Sequence, residues 1–175
     1  MRGLFLWTNI RAVPKEPTVR RFEPHDAAAL RALAPQLTSE MPPWRPSDGL
    51  ARAARRWVED AIAQSDADDR GVFVAETCGV VAGFVDVHER MHFSSARDAY
   101  IGELVVDPRY RRGGIARRLV EAALAWAQHR NVSRVYLETG SRNEAALALY
   151  RTMGFVEEQI ALSIDPATDW RASSR

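Results

Sequence analysis

Apolar positions along the chain switch between two spacings, and the switches mark out the elements. Thr18 to Phe22 alternates every second residue, which predicts a first strand. From about Asp26 to Leu33 the spacing becomes helical, carried by Ala28, Ala29, Leu30 and Leu33. Leu37 to Pro46 is proline-rich and predicts a connection bearing Met41 and Trp44. Beyond it Leu50, Ala54, Trp57, Val58, Ala61 and Ile62 predict a second helix, with Ser47 and Asp48 as its caps. Gly71 to Ala75 and Val80 to Val87 read as strands, and Cys78-Gly79 between them predicts a hairpin. Glu89 to Asp98 is polar and predicts a loop holding Met91, His92 and Phe93. Tyr100 to Val106 predicts the next strand, ended by Pro108. Ile115, Leu119, Ala122 and Trp126 then form one stripe of a helix. Val132 to Glu138 predicts a strand, Asn143 to Met153 a helix closed by Gly154, and Phe155 to Ile164 a last strand.

The order β-α-α-β-β-β-α-β-α-β predicts an α/β fold, a mixed sheet with helices on both faces. A chain of 175 residues suits a single domain, here 18–165. Residues 1–17 read as an irregular extension broken by Pro14 and Pro17, and 166–175 as a tail. The start lacks the long apolar region and cleavage site of a leader peptide.

Composition narrows the class. Hydrophobic residues are 46% and charged residues 27%, as in an ordinary soluble domain. A net charge of +1 gives no global pull toward nucleic acid or a membrane surface. No apolar run is long enough to span a bilayer. Cys78 is the one cysteine, which leaves no internal disulfide and points to a reducing, cytoplasmic setting.

Charge is nonetheless concentrated locally. Arg109, Arg111, Arg112, Arg117 and Arg118 surround the segment R-x-x-G-x-A at Arg111 to Ala116. A strand delivers the chain to this turn, Gly113, Gly114 and Ala116 keep it low, and a helix opens at Ile115. Such a turn presents backbone N–H groups, here those of Arg112 through Arg117, to a phosphate at the positive end of a helix dipole. Nucleic acid is a weaker reading of the same arginines, because Tyr110 is the one aromatic ring interleaved with them. Read alone, R-x-x-G-x-A favours a plain strand-to-helix turn with solvated arginines; the strand, proline, turn and helix together favour the phosphate site.

A second constellation lies further on. Asn143, Ala146 and Tyr150 share one helix face at spacings of three and four. An amide at one end, a small residue between and a phenol at the other suit an extended ligand arm. A phenol with an ordinary pKa of about 10 can protonate a departing alkyl thiolate. Taken singly, Asn143 reads as an N-cap and Tyr150 as a core residue with a polar tip.

With these motifs in view, the chain resembles the GNAT family of N-acetyltransferases from about Thr18 to Ile164, most closely from Tyr100 to Phe155. R-x-x-G-x-A is similar to the family's acyl-CoA pyrophosphate loop, and N-x-x-A-x-x-x-Y at Asn143 to Tyr150 to its second cofactor motif. The resemblance implies a mostly antiparallel sheet and acetyl-CoA as co-substrate, with no metal. It implies that the pantetheine arm pairs with the backbone of Val105 and Val106 where the strands Tyr100–Val106 and Val132–Glu138 splay, as an added strand would. It implies that Tyr150 is the general acid. The family has two strands after the last helix, for which this chain leaves about twenty residues after Phe155.

The implied cofactor loop is thus Arg111, Arg112, Gly113, Gly114, Ile115, Ala116 and Arg117, with Asn143, Ala146 and Tyr150 beyond it. The expected reaction is direct attack of a neutral primary amine on the thioester, with a backbone N–H near Val106 holding the oxyanion. Glu138 and Glu103 are the candidate bases. Glu138 is placed ahead because L-E-x-x-x-x-N at Leu137 to Asn143 resembles ribosomal-protein N-terminal acetyltransferases, whereas I-D-P-A-T at Ile164 to Thr168 resembles aminoglycoside acetyltransferases. Met41, Trp44, His92 and Phe93 are candidate walls for the acceptor, and Glu40, Asp48, Asp86 and Asp98 its candidate negative charges. The favoured acceptor is a small-molecule amine such as an aminoglycoside-like polycation. The alternatives are a protein or peptide amine, and an acyl-CoA-binding sensor without turnover. A homodimer rests on the resemblance alone.

Overall fold

The computed structural model describes residues 16–167. Most of the expected extension, the tail beyond Ala167 and the end of the I-D-P-A-T segment lie outside the described residues. The elements run β1 Thr18–Arg21, a 3₁₀ turn Pro24–Asp26, α1 Ala27–Leu33, a 3₁₀ turn Ala34–Thr38 and α2 Ser47–Ala63. Then follow β2 Arg70–Thr77, β3 Val80–Met91, β4 Arg97–Val106, a 3₁₀ turn Pro108–Tyr110, α3 Ile115–His129, β5 Val135–Leu137 and α4 Glu144–Thr152. The chain divides between Arg142 and Asn143 into two compact units, the first with the sheet and α1 to α3, the second with α4.

In the first unit, five strands lie in sequence order, each antiparallel to the next except β5, which runs parallel to β4. A parallel pair needs a crossover, and α3 supplies it. The β2–β3 hairpin closes through Cys78 and Gly79, at φ of 51° and 76°, between the paired residues Thr77 and Val80. Two consecutive positive φ values match the twist of the flanking strands.

Alternation along the strands sorts side chains to two faces. Val72, Val74, Phe84 and Val105 pack against Leu30, Leu33, Ala54, Val58 and Ala61 of α1 and α2. On the opposite face α3 buries Ile115, Leu119, Val120, Ala123, Trp126 and Ala127. Ala122 of the expected stripe is only half-buried. Gly71 lies under Trp126, where an added Cβ would come within 2.9 Å of the indole. Helices therefore cover both faces of a mixed sheet, as the pattern predicts, and the sheet is mostly antiparallel, as the resemblance implies.

Gly83 fixes the approach of β3 to β4. A Cβ there would sit 2.6 Å from the Val105 carbonyl oxygen, a backbone atom with no room to retreat. Gly83→Ala is expected to cost about 1–3 kcal/mol by overpacking. Urea unfolding checks this, and an unchanged midpoint would show that the strands yield.

Four expectations are corrected. Glu89–Asp98 is not a loop: β3 continues to Met91, β4 begins at Arg97, and only a short tip separates them. Three of its polar side chains are held laterally: Glu89 by Arg130 at 2.7 Å and by Arg97 at 3.5 Å, with Arg90 stacked on Tyr100 and Tyr136. The strand expected over Val132–Glu138 shrinks to Val135–Leu137, paired only with Ala99 to Ile101. Phe155–Ile164 holds no strand, and Val156, Ile160, Leu162 and Ile164 are exposed. Finally, α2 has Pro46 at its N-cap and no side-chain cap, so Ser47 and Asp48 lie inside its first turn.

Candidate active site

The turn after β4 is built by its own side chains. Asp107 accepts from the Arg109 backbone N–H at 2.9 Å and from its guanidinium at 2.6 Å, which fixes the 3₁₀ turn. Arg109 holds the Asp107 carboxyl below the usual carboxylate range, through side-chain and backbone hydrogen bonds. Arg112 then takes a left-handed φ of 67°, and Gly114, at 78°, is the N-cap of α3 with no side-chain cap. Arg111 to Gly114 and Arg117 are exposed, Ala116 is half-exposed, and Ile115 anchors the turn in the core. A Cβ on Gly113 would meet the Tyr110 carbonyl only at 3.5 Å, and one on Gly114 would meet nothing within 4 Å. The space over the loop is open, and the uncapped start of α3 faces it, the arrangement that binds anions. Not all the arginines add free charge: Arg109 is tied to Asp107 and Arg118 to Glu16 at 2.9 Å.

The strand leading into this turn has an open edge. Pairing with β5 stops at Ile101, so Gly102 to Val106 face no strand on that side among the described residues. The Asp107 N–H donates to Ala82 of β3 at 2.8 Å, so the Val106 carbonyl in the same peptide points away from β3. The Val105 carbonyl lies against Gly83, so the Val106 N–H is also turned to the open edge. Val106 thus offers both backbone groups there. Its carbonyl accepts from Arg111 Nε at 3.1 Å, and the same guanidinium reaches Gln36 at 3.5 Å.

Beside that edge β4 carries a bulge. Val85 pairs with Leu104 and Val87 with Ile101, so Asp86 alone opposes both Gly102 and Glu103. Asp86 is fully buried and bonded to Arg70 at 2.7 Å, and Arg70 reaches Asp60 at 3.0 Å. Burial would raise the Asp86 carboxyl, but His88 and Arg70 override it and hold the group below its ordinary range. Glu103 has no such partner. Burial first, and then the charge of Asp86, push its carboxyl up to about 8, with Arg70 partly opposing. Glu138 is exposed just past the end of β5. Tyr100 is pushed up to about 12 by burial, then by the charges of Glu138 and Glu103.

In the second unit, Asn143 caps α4, its Oδ1 accepting from the Ala146 N–H at 3.2 Å. Tyr150 is buried with its ring 5.7 Å from that of Phe155, and burial pushes its hydroxyl up to about 12. Gly154, at a φ of 89°, closes the helix, and the Phe155 N–H donates to the Tyr150 carbonyl at 3.1 Å.

The acceptor candidates are scattered. Met41 and Trp44 are exposed on the connection before α2, and Phe93 is exposed at the β3–β4 tip beside His92. Asp98 belongs to β4 and is buried, and Asp86 is neutralised by Arg70. A cavity of about 280 Å³ lies between the Ala34–Thr38 turn and α2, but Arg55 is its one charged lining residue. Sequence reasoning missed the pairing of Arg70 with Asp86 and the role of Arg111 at Val106. The signal for the first was a charged residue within the apolar run Val85-Asp86-Val87.

Comparison with known proteins adds three kinds of likeness. The human N-alpha-acetyltransferase 30 is 38% identical over 87 residues, 49% of this chain and 23% of that protein. The Escherichia coli [ribosomal protein bS18]-alanine N-acetyltransferase is 38% identical over 74 residues, 42% of this chain and 50% of that one. The Thermobispora bispora mycothiol acetyltransferase is 32% identical over 152 residues, 82% of this chain and 48% of that one. The chain therefore spans about half or less of the length of these curated relatives. Among solved structures, the aminoglycoside N-acetyltransferase AAC(6')-Iy in complex with CoA superposes with a TM-score of 0.68 at 21% identity, covering 91% of this chain and 99% of that one. The family model described as "Acetyltransferase (GNAT) family" matches residues 33–155, and the chain belongs to that family.

Proposed function

We propose that the protein transfers an acetyl group from acetyl-CoA to a primary amine by direct attack, with no covalent enzyme intermediate. The observation that carries this reading is the alignment of three features at one strand end: an exposed turn at the uncapped start of α3, an open edge at Val106, and the half-buried Glu103 carboxyl three residues earlier on β4. The loop Arg111 to Arg117 would hold the pyrophosphate, and the Val105–Val106 edge the pantetheine arm. For the edge to pair fully, Arg111 must release the Val106 carbonyl. By motif resemblance, Asn143 and Ala146 are assigned cofactor contacts as well.

Acetyl-CoA supplies the activated thioester; the rest falls to the chain. Glu103 accepts the proton that the amine gives up, because it sits on β4 beside the open edge with a carboxyl raised to about 8. Glu138, exposed beyond β5, is the second candidate for that role. The Val106 N–H is oriented to hold the thioester oxygen as charge gathers on it. Tyr150 stays protonated across the working range and gives its proton to the departing thiolate.

A small-molecule amine is the first acceptor class, supported by the breadth of the match to the mycothiol enzyme. A protein N-terminus is the second, supported by the 38% identity to two N-terminal acetyltransferases. Thiol release from acetyl-CoA, measured across aminoglycosides, other small amines and N-terminal peptides, separates them. CoA binding without turnover on any acceptor would instead favour a sensor.

The loop has its own test. Gly114 is a poor probe, since its φ of 78° strains any side chain. Gly113 has no such constraint, so Gly113→Val is expected to leave the unfolding midpoint unchanged and weaken CoA binding at least about tenfold. Calorimetry checks it, and undiminished affinity would remove the loop from the cofactor site.

A further inference from the structure

We infer that Asp86, held by Arg70, is the positioning residue for the base Glu103, seated in the notch that Gly102 opens at the β4 bulge. The inference rests on the reading of Glu103 as the base. Three geometric facts support it. The bulge sets one β3 residue, Asp86, against both Gly102 and Glu103. Gly102 has to lack a side chain, because a Cβ there would lie 2.6 Å from Asp86 Oδ1. Asp86 in turn cannot rotate away, because Arg70 grips it through Nε at 2.7 Å and a terminal nitrogen at 3.3 Å, while Asp60 of α2 holds the far side of the guanidinium at 3.0 Å.

A buried carboxylate fixed in this notch, opposite Glu103 in the strand register, acts on its charge through a medium that screens less than water. The facing charges come from several elements. Asp60 lies on α2, Arg70 on β2, Asp86 and His88 on β3, and Tyr100 on β4, with Tyr136 of β5 and Glu138 beyond it on the far side of Tyr100. The Ala34–Thr38 turn packed against β4 contributes no titratable group. Of these, Asp86 is the one that raises Glu103, and Arg70 the one that opposes it. The pair also explains why an ion pair stands within the apolar core: removing one partner would leave a buried charge uncompensated.

The test is the pH profile of kcat/KM together with a direct NMR titration of the Glu103 carboxyl. In Asp86→Asn the negative neighbour is gone while Arg70 keeps Asp60, so the midpoint near pH 8 is expected to fall by about one unit and kcat by about tenfold. A merely structural role would lower kcat and leave the midpoint in place, which overturns the inference. Should Asp86→Asn fail to fold, Gly102→Ala displaces Asp86 Oδ1 by sterics alone and is expected to move the midpoint in the same direction. The NMR titration is independent of turnover: an identical Glu103 midpoint in wild type and variant overturns the positioning role even if catalysis changes. Failure of the underlying reading looks different, because Glu103→Gln would then keep both its rate and its pH profile.

Discussion

Glu103→Gln is expected to lower kcat by about 100-fold or more and to abolish the rise in rate centred near pH 8. Only the ionised carboxylate accepts a proton, so the wild-type rate climbs as pH passes about 8 and then levels. Glutamine keeps the shape of the side chain but cannot take the proton. Stability should move the other way. The carboxyl rises from an ordinary 4.5 to about 8 in the folded chain, so its ionisation opposes folding. Wild-type stability therefore declines between about pH 4.5 and 8 and is lower by a constant amount above that. Glu103→Gln removes this penalty, and at pH 9 it should be more stable than wild type by on the order of a few kcal/mol. Steady-state profiles and urea titrations at pH 6 and 9 check both halves. An active variant with an unchanged profile would shift the role to Glu138 or to water.

Tyr150→Phe is expected to lower kcat by about 10- to 1,000-fold while leaving CoA affinity within about twofold. The substitution removes one oxygen and keeps the ring that packs on Phe155 at 5.7 Å, so α4 should survive it. Burial pushes the hydroxyl up to about 12, which keeps it a donor at any working pH. The loss should shrink with an acyl donor whose thiol is a better leaving group, because such a thiolate needs no proton. Equal loss with both donors would make Tyr150 a packing residue.

How far the chain could be read depended on where its constraints were local. The Cys78-Gly79 hairpin and the Pro108 to Ile115 turn were legible because each is set by a few adjacent residues needing positive φ or a fixed proline φ. The α3 stripe was legible from its period, although burial extends to Val120 and Ala123. The β3–β4 extension was hidden because Glu89, Arg90 and Arg97 look like loop residues until Arg130, Tyr100 and Tyr136 are brought beside them. The same held for Asp86, whose charge makes sense only with Arg70 sixteen residues away in sequence. The unlike settings of Glu103 and Glu138 were hidden for the same reason: one is half-buried opposite Asp86 and the other exposed past β5, and neither follows from local sequence. Phe155–Ile164 shows the opposite error: an apolar run predicts a strand but cannot supply a partner.

Titration of coenzyme A into the protein by calorimetry tests the central claim most directly. Saturable one-to-one binding that weakens with salt and weakens further in Gly113→Val is the predicted result. Absence of heat at millimolar ligand, or affinity equal in wild type and Gly113→Val, would contradict it.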